Sequence, residues 1–411
     1  MWSEAQARVA TMLRRPAIFG LIVLTVYLAA LLPLWVRGDF DSSIFIVAGD
    51  HYVTAADTPT KIYVRHHSDG YDGQFYYRFA IDPTNRAEMA AGVRLDHPAW
   101  RMQRILYPLV ARILAVGRAA AVPAALLGVN LAGLFCIGWI AMRLAEREKL
   151  PLAVPIAIVL WPGFLLTLTH DTTEILAAVL LLAGVSAWLA RRFVAGAAFL
   201  ALATLTRETS ILLVGGLASF AAVRCVRDRN DRAAWREAGC AVAAILAFLA
   251  WRHAVGAYWD DSAKAWGVAH NAGWPLVGIG QTVVANLLGH AVGLAHVPRS
   301  RAARPMTLLA ISVLLWFCWH GVLGAARLLR NDRAAGLAAG WLLILALMST
   351  LTANGPWIEL SAFLRAFSEC WILGWVLLGM SRAGVREWRW VALPGVPLFV
   401  YTWSLCWLQL R

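Results

Sequence analysis

Read for apolar and polar positions, the chain is a series of long apolar runs separated by short basic connections, with one long polar interval near its start. The first run, Pro16 to Val36, holds about 20 residues without a charge, enough to cross roughly 30 Å of hydrocarbon as a helix. Arg14 and Arg15 precede it and no small-residue cleavage signal follows, so it is expected to be a retained span rather than a signal peptide. Further spans are expected at 121–142, 151–169, 172–190, 193–206, 209–223, 238–256, 306–326, 334–352, 358–380 and 390–410. Segments 104–118 and 274–296 are weaker. The first carries Arg112 in its middle and the second Gln281, Asn286 and His290, all costly against lipid. Both are therefore expected to be interfacial or re-entrant.

With that assignment, and the N-terminus inside, the basic stretches Arg143–Lys149, Arg191–Arg192, Arg224–Arg236, Arg327–Arg333 and Arg382–Arg389 all fall on the cytoplasmic side. If both weak segments crossed fully, the spans between 121 and 256 would reverse and their basic loops would move outside. The fold class read from the pattern is all-α, a polytopic transmembrane bundle of about 11–13 spans. It forms a single integral-membrane domain over 1–411, with 37–103 as first outer loop, 104–256 as one transmembrane module and 257–411 as a second.

Composition agrees: 60% of residues are hydrophobic and 15% charged, against about 25% charged in soluble domains. The net charge of +13 does not point to nucleic acid, because the arginines are scattered through loops rather than clustered on a polar domain. Membrane topology and phosphate-bearing lipids explain them better. The six cysteines lie in or at the ends of apolar segments and suggest no disulfide framework or metal pattern. The 21 tryptophans suit interfacial belts.

Chemistry is to be sought in the polar interval, which is too long for a plain connection and is expected to hold short helices. Its centre, Gly70-Tyr71-Asp72-Gly73-Gln74-Phe75-Tyr76-Tyr77, puts a carboxylate at a helix start between two glycines that permit close backbone approach. Asp72 is either an N-cap or a catalytic carboxylate, and the aromatics either core packing or a sugar-stacking platform. Farther on, His170-Asp171-Thr172-Thr173-Glu174 sits between two spans, where Asp171 and Glu174 fit a capping box that leaves His170 unexplained. A second histidine is lacking nearby, so the cluster is weak as a metal site. Thr206-Arg207-Glu208-Thr209 interrupts apolar sequence with almost no room for a loop. Arg365 lies inside a span, with Glu369 one turn later as the expected partner, or a ligand phosphate in its place. Arg101, Gln103 and Arg104 end the polar loop and are suited to anionic lipid heads or to interfacial anchoring.

The run Gly70 to Tyr77, together with Arg101-Met102-Gln103-Arg104-Ile105-Leu106-Tyr107-Pro108, Asp171-Thr172-Thr173-Glu174 and Leu205-Thr206-Arg207-Glu208-Thr209, resembles the GT-C superfamily of integral-membrane glycosyltransferases. The likeness covers residues 1 to about 215, and the C-terminal half only by its span pattern and Arg365. The resemblance implies inverting transfer of a sugar from a polyprenyl-phosphate donor to a lipid, glycan or protein acceptor, on the outer face of a bacterial plasma membrane. It implies a first-loop carboxylate as general base, Asp72 or else Asp39 or Asp41 directly after the first span. The remaining expected site residues are Tyr71, Gln74, Tyr76, Gln103, Arg104, His170, Asp171, Glu174, Arg207, Glu208 and Arg365, with Arg207 and Arg365 as phosphate ligands. No metal or other cofactor is expected; the partners are the lipid-linked donor, the acceptor and membrane lipids. The rival is a transporter or flippase of a phosphate-bearing lipid or sugar, whose inverted repeats are not found in the sequence. A scaffold ranks third, since it leaves the set Asp171, Glu174, Arg207 and Arg365 without purpose.

Overall fold

The computed structural model describes residues 12, 14–259, 271–293, 295, 303–331, 333–352, 357, 360–381, 397–404 and 406. The expected basic loop 382–389 and most of the last expected span, 390–410, lie outside the described residues. Among the described residues five helices are long and apolar enough to cross a membrane: Pro16–Arg37, Ala119–Arg147, Glu208–Arg227, Arg232–Tyr258 and Ala303–Leu328. Six shorter apolar helices accompany them, among them Glu174–Leu189, Phe193–Thr206 and Ala335–Thr350.

The two weak segments form helices too short to cross alone. Leu106–Leu114 has 9 residues and Val277–Leu288 has 12, or about 14 and 18 Å of rise. Arg112, the charge that marked the first segment, donates to the carbonyls of Ala80 and Ile81 and so closes the end of helix Gly73–Ile81.

Small residues let the bundle close. A Cβ on Gly216 would lie 2.1 Å from the backbone nitrogen of Gly340, so the helices Ile211–Arg227 and Ala335–Thr350 meet backbone to backbone.

Two interruptions shape the interior. The span over 151–169 is broken into Ala153–Val159 and Pro162–Thr169, with Pro162 in the first turn of the second piece. Tyr27 of the first span donates to the carbonyl of Val159 at 2.8 Å, satisfying one oxygen freed by the break. The expected span over 358–380 is interrupted at Phe367, between Leu360–Ala366 and Ser368–Ser381.

The tryptophans depart from the interfacial expectation at this point. Trp161, Trp341 and Trp357 are fully buried. The indole N–H groups of Trp161, Trp341 and Trp371 donate to the carbonyls of Leu364, Cys370 and Ala157 at 2.9, 2.8 and 2.8 Å. Where helices break inside a bundle, a large apolar ring with one donor serves both the packing and the freed oxygen.

The polar interval packs its own small core of Phe75, Tyr76, Tyr77 and Phe79 with Val53 and Val93. Two minimal strand pairs stiffen it, Ala48–Gly49 parallel to Val64–Arg65 and Met89–Ala90 antiparallel to Val93–Arg94. An all-helical reading had left these out, because two-residue strands carry no periodicity. Arg78, fully buried, holds the loop closed by donating to the carbonyls of Ala87, Glu88 and Val93.

Candidate functional site

The glycines around Asp72 exist because two stretches of backbone cross there. Gly70 has φ +66°, and a Cβ on it would meet Gly49 N and Val47 O at 2.6 Å each. A Cβ on Gly73 would meet the carbonyls of His170 and Ile46 at 2.5 and 2.6 Å. Gln74 fastens the crossing: its Oε1 accepts from Gly49 N at 3.1 Å and its Nε2 donates to Asp69 O at 2.8 Å. The result presses Tyr71, Asp72 and the start of helix Gly73–Ile81 against the turn at His170.

Asp72 occupies the N-cap position, yet its backbone is helical and its side chain makes no capping bond. Of the two readings left open by sequence, capping is therefore not realised. The carboxylate is turned instead to Arg101, whose Nη1 lies 2.5 Å from Oδ1. The same guanidinium grips Asp96 through Nε at 2.9 Å and Nη2 at 2.6 Å, and lies 4.3 Å from the Phe75 ring centre. Arg101 thus joins two carboxylates.

Three further arginines surround this pair. Arg104 forks onto Glu208 at 2.9 and 2.7 Å and reaches Tyr76 Oη at 3.5 Å. Arg365 donates to Tyr71 Oη at 2.5 Å and to Glu174 at 3.3 Å, with its guanidinium 4.5 Å from the Tyr71 ring centre. Arg207 donates to the carbonyls of Arg365 and Ala366 at 3.0 and 3.2 Å and lies 3.7 Å from Glu174. His170 packs edge-on against Tyr71, with ring centres 4.7 Å apart. The polar loop, the turn at 170–174, the turn at 207–208 and Arg365 therefore meet in one cluster.

Electrostatics separates the titratable groups. Burial alone would push the Asp72 carboxyl up, but the Arg101, Arg365 and Arg104 guanidiniums outweigh it and hold it at about 2. Burial, followed by the nearby Arg365 and Arg65 charges, holds His170 down at about 3, so its ring is neutral. Asp171 is fully buried, in a left-handed backbone conformation (φ 44°), with the Tyr107 hydroxyl and the Asn130 side chain as its polar neighbours. Burial holds this carboxyl well above the usual range, against the opposing pull of the Tyr107 and Asn130 side chains.

Several sequence expectations change here. Arg365 does not pair with Glu369. The interruption at Phe367 turns the two residues apart, and Glu369 accepts instead from the hydroxyls of Thr209 and Ser210. Asp171 and Glu174 form no capping box, since Thr173 caps nothing and Glu174 faces Arg365, Arg207 and the Thr167 hydroxyl. Arg207, expected as a phosphate ligand, spends its fork on carbonyls freed by the helix interruption. Arg207 and Glu208, adjacent in sequence, serve different partners.

Gln103 is buried away from the cluster, where Arg252 donates to its side chain and Trp251 to its carbonyl at 3.1 Å. Asp41 caps the turn Ser42–Ile46 by accepting from Ser43 N at 2.8 Å. Asp39 is exposed with φ 51°. Neither aspartate contacts the cluster among the described residues.

Sequence reasoning missed Arg101 and Asp96 as parts of the site. The only available signal was that Arg101 and Arg104 share one helical face. It also missed Arg65, whose guanidinium makes no hydrogen bond or ion pair among the described residues and yet acts on His170. Among the described residues no group of three His, Cys, Asp or Glu side chains is placed to hold a metal ion. Comparison of the chain with protein-family models, curated proteins and solved structures finds no match.

Proposed function

We propose that this chain is a GT-C-type glycosyltransferase of a bacterial plasma membrane. In this reading a bundle of about 11–13 spans, two of them broken, presents the Asp72 cluster to the outer side. The donor is a sugar on a polyprenyl phosphate and the acceptor a hydroxyl of a lipid, glycan or protein. The observation that carries the reading is Asp72 itself. A carboxylate freed from capping duty and held by Arg101 lies within reach of the charge of Arg104 and Arg365, where the first loop meets the bundle.

The chemistry follows from those groups. The acceptor oxygen attacks the anomeric carbon opposite the phosphate, the bond from that carbon to phosphate oxygen breaks, and configuration inverts. The acceptor proton passes to Asp72 as the new bond forms, a step in which a positioned base typically contributes about 10²- to 10⁴-fold. The departing phosphate takes up negative charge and needs fixed N–H donors. Arg365 is the best placed. Its Nε is buried without a partner, a cost that a ligand oxygen would remove.

At rest Asp72 is a weak base because Arg101 holds it ionised. A donor phosphate that draws the arginines toward itself weakens that hold, so basicity rises when the donor is in place.

The test is incubation of membranes containing the protein with radiolabelled polyprenyl-phosphate sugars, with and without Asp72→Asn. Labelled product that depends on Asp72 is the expected result. Absence of product with every donor, or full turnover in Asp72→Asn, overturns the reading.

A further inference from the structure

A second feature lies at the far end of the helices that begin at the cluster. Helix Val122–Arg147 runs from Asn130, whose side chain donates to Tyr107 Oη at 2.9 Å, down to Arg143 and Arg147. Helix Glu174–Leu189 starts at Glu174 and ends beside Arg192. Between these two helices and Phe193–Thr206 lies a groove of about 930 Å³.

The groove has two different parts. Its wall is apolar, formed by Ile140, Val179, Ala183, Ala187, Ala195 and Phe199. From Val179 to Leu189 is eleven residues of helix, about 16 Å of rise. That matches the hydrocarbon depth of one leaflet, about 15 Å. Its mouth carries Arg143, Arg147 and Arg192 with Glu146 as the one acid among the lining residues, a net charge of +2 from three arginines and one glutamate.

Arg147 is already engaged, with Glu148 at 2.8 Å and Ser186 Oγ at 3.3 Å. The guanidiniums of Arg143 and Arg192 have no hydrogen-bond or ion-pair partner among the described residues. Arg143 lies 5.6 Å from the ring centre of Trp139, and both arginines are exposed. Two uncommitted guanidinium forks thus stand above an apolar trough one leaflet deep.

We propose that this groove is a binding site for an anionic phospholipid. The acyl chains lie along the wall, and the headgroup phosphate is held by Arg143 and Arg192 with the Ser186 hydroxyl beside it. The site is separate from the Asp72 cluster and does not depend on the function proposed for it. A solvated arginine rim, the plain alternative, would attract anionic lipids as a class without retaining any one of them and would not need the apolar wall.

The test uses the whole protein in zwitterionic phosphatidylcholine nanodiscs. Retention of added dioleoylphosphatidylglycerol is measured by native mass spectrometry and by the shift in unfolding temperature. Phosphatidylglycerol should be retained and should raise the unfolding temperature, whereas glycerol phosphate without chains should do neither. Arg143→Gln with Arg192→Gln should weaken retention about thirtyfold, at about fivefold per arginine near a lipid surface.

Ala183→Trp with Ala187→Trp fills the trough without touching a charge and should weaken retention as well. Equal retention of phosphatidylcholine, an unaffected double-glutamine variant, or competition by glycerol phosphate alone would each overturn the proposal. If the glutamine pair fails to assemble, Arg143→Lys with Arg192→Lys keeps the charge. It should then retain the lipid more weakly than the parent, because the fork is lost.

Discussion

Removing Arg101 tests the arrangement most directly, because one guanidinium holds two carboxylates. Arg101→Gln leaves Asp72 and Asp96, whose side chains are 22% and 15% exposed, without their shared cation. Losing one partner of a largely buried pair costs about 3–5 kcal/mol. The acid displacement of Asp72 gives an independent figure. Holding that carboxyl at about 2 instead of 3.8 is worth about 2 kcal/mol.

The two figures bracket a loss of roughly 2–5 kcal/mol. The sign is that of a depressed carboxyl. Its stabilisation is fully present above the unfolded value near pH 4 and is lost as pH falls toward 2. Thermal unfolding in detergent from pH 2 to 8, with Arg101→Gln, Asp72→Asn and the double variant, measures it. The parent should keep its full stability down to about pH 4, and the double variant should recover part of what Arg101→Gln loses. In transfer assays, the acid limb of Arg101→Gln should move to higher pH, because Asp72 loses the foremost of the positive charges that hold its carboxyl down while Arg365 and Arg104 remain. A coupling between positions 101 and 72 below about 0.5 kcal/mol, with an unmoved acid limb, would refute the reasoning.

Asp72→Asn should fold normally and lose about 10²- to 10⁴-fold in sugar transfer, measured as labelled acceptor per unit of protein. Arg365→Leu and Glu174→Leu should each destabilise the bundle, and the double replacement should recover much of the loss by thermal unfolding; Glu369→Leu should not rescue Arg365→Leu. Arg365→Lys should assemble yet bind a polyprenyl-phosphate donor more weakly, because the charge stays and the fork is lost. Gly73→Ala drives a methyl group into two backbone carbonyls, so unfolding should show about 1–3 kcal/mol of destabilisation and transfer should fall with it.

The sequence by itself determined which segments are apolar helices among the described residues, and that 104–118 and 274–296 hold only short ones. A bilayer imposes on every lipid-facing residue a requirement that can be read position by position. It also marked Asp72 between its glycines, because a carboxylate beside two residues without Cβ is a local feature. Its choice of partners was local too, and that is where it failed. Arg365 was matched to Glu369 by helical spacing, a rule that holds only in an unbroken helix. Its observed partner Glu174 is 191 residues away, and Arg104 finds Glu208 across 104. Arg207 looked available until the interruption at Phe367 freed two carbonyls that needed it. Ion pairs in a low-dielectric interior form wherever packing brings opposite charges together. Only the tertiary structure decided that Arg101 holds Asp72, across 29 residues of chain.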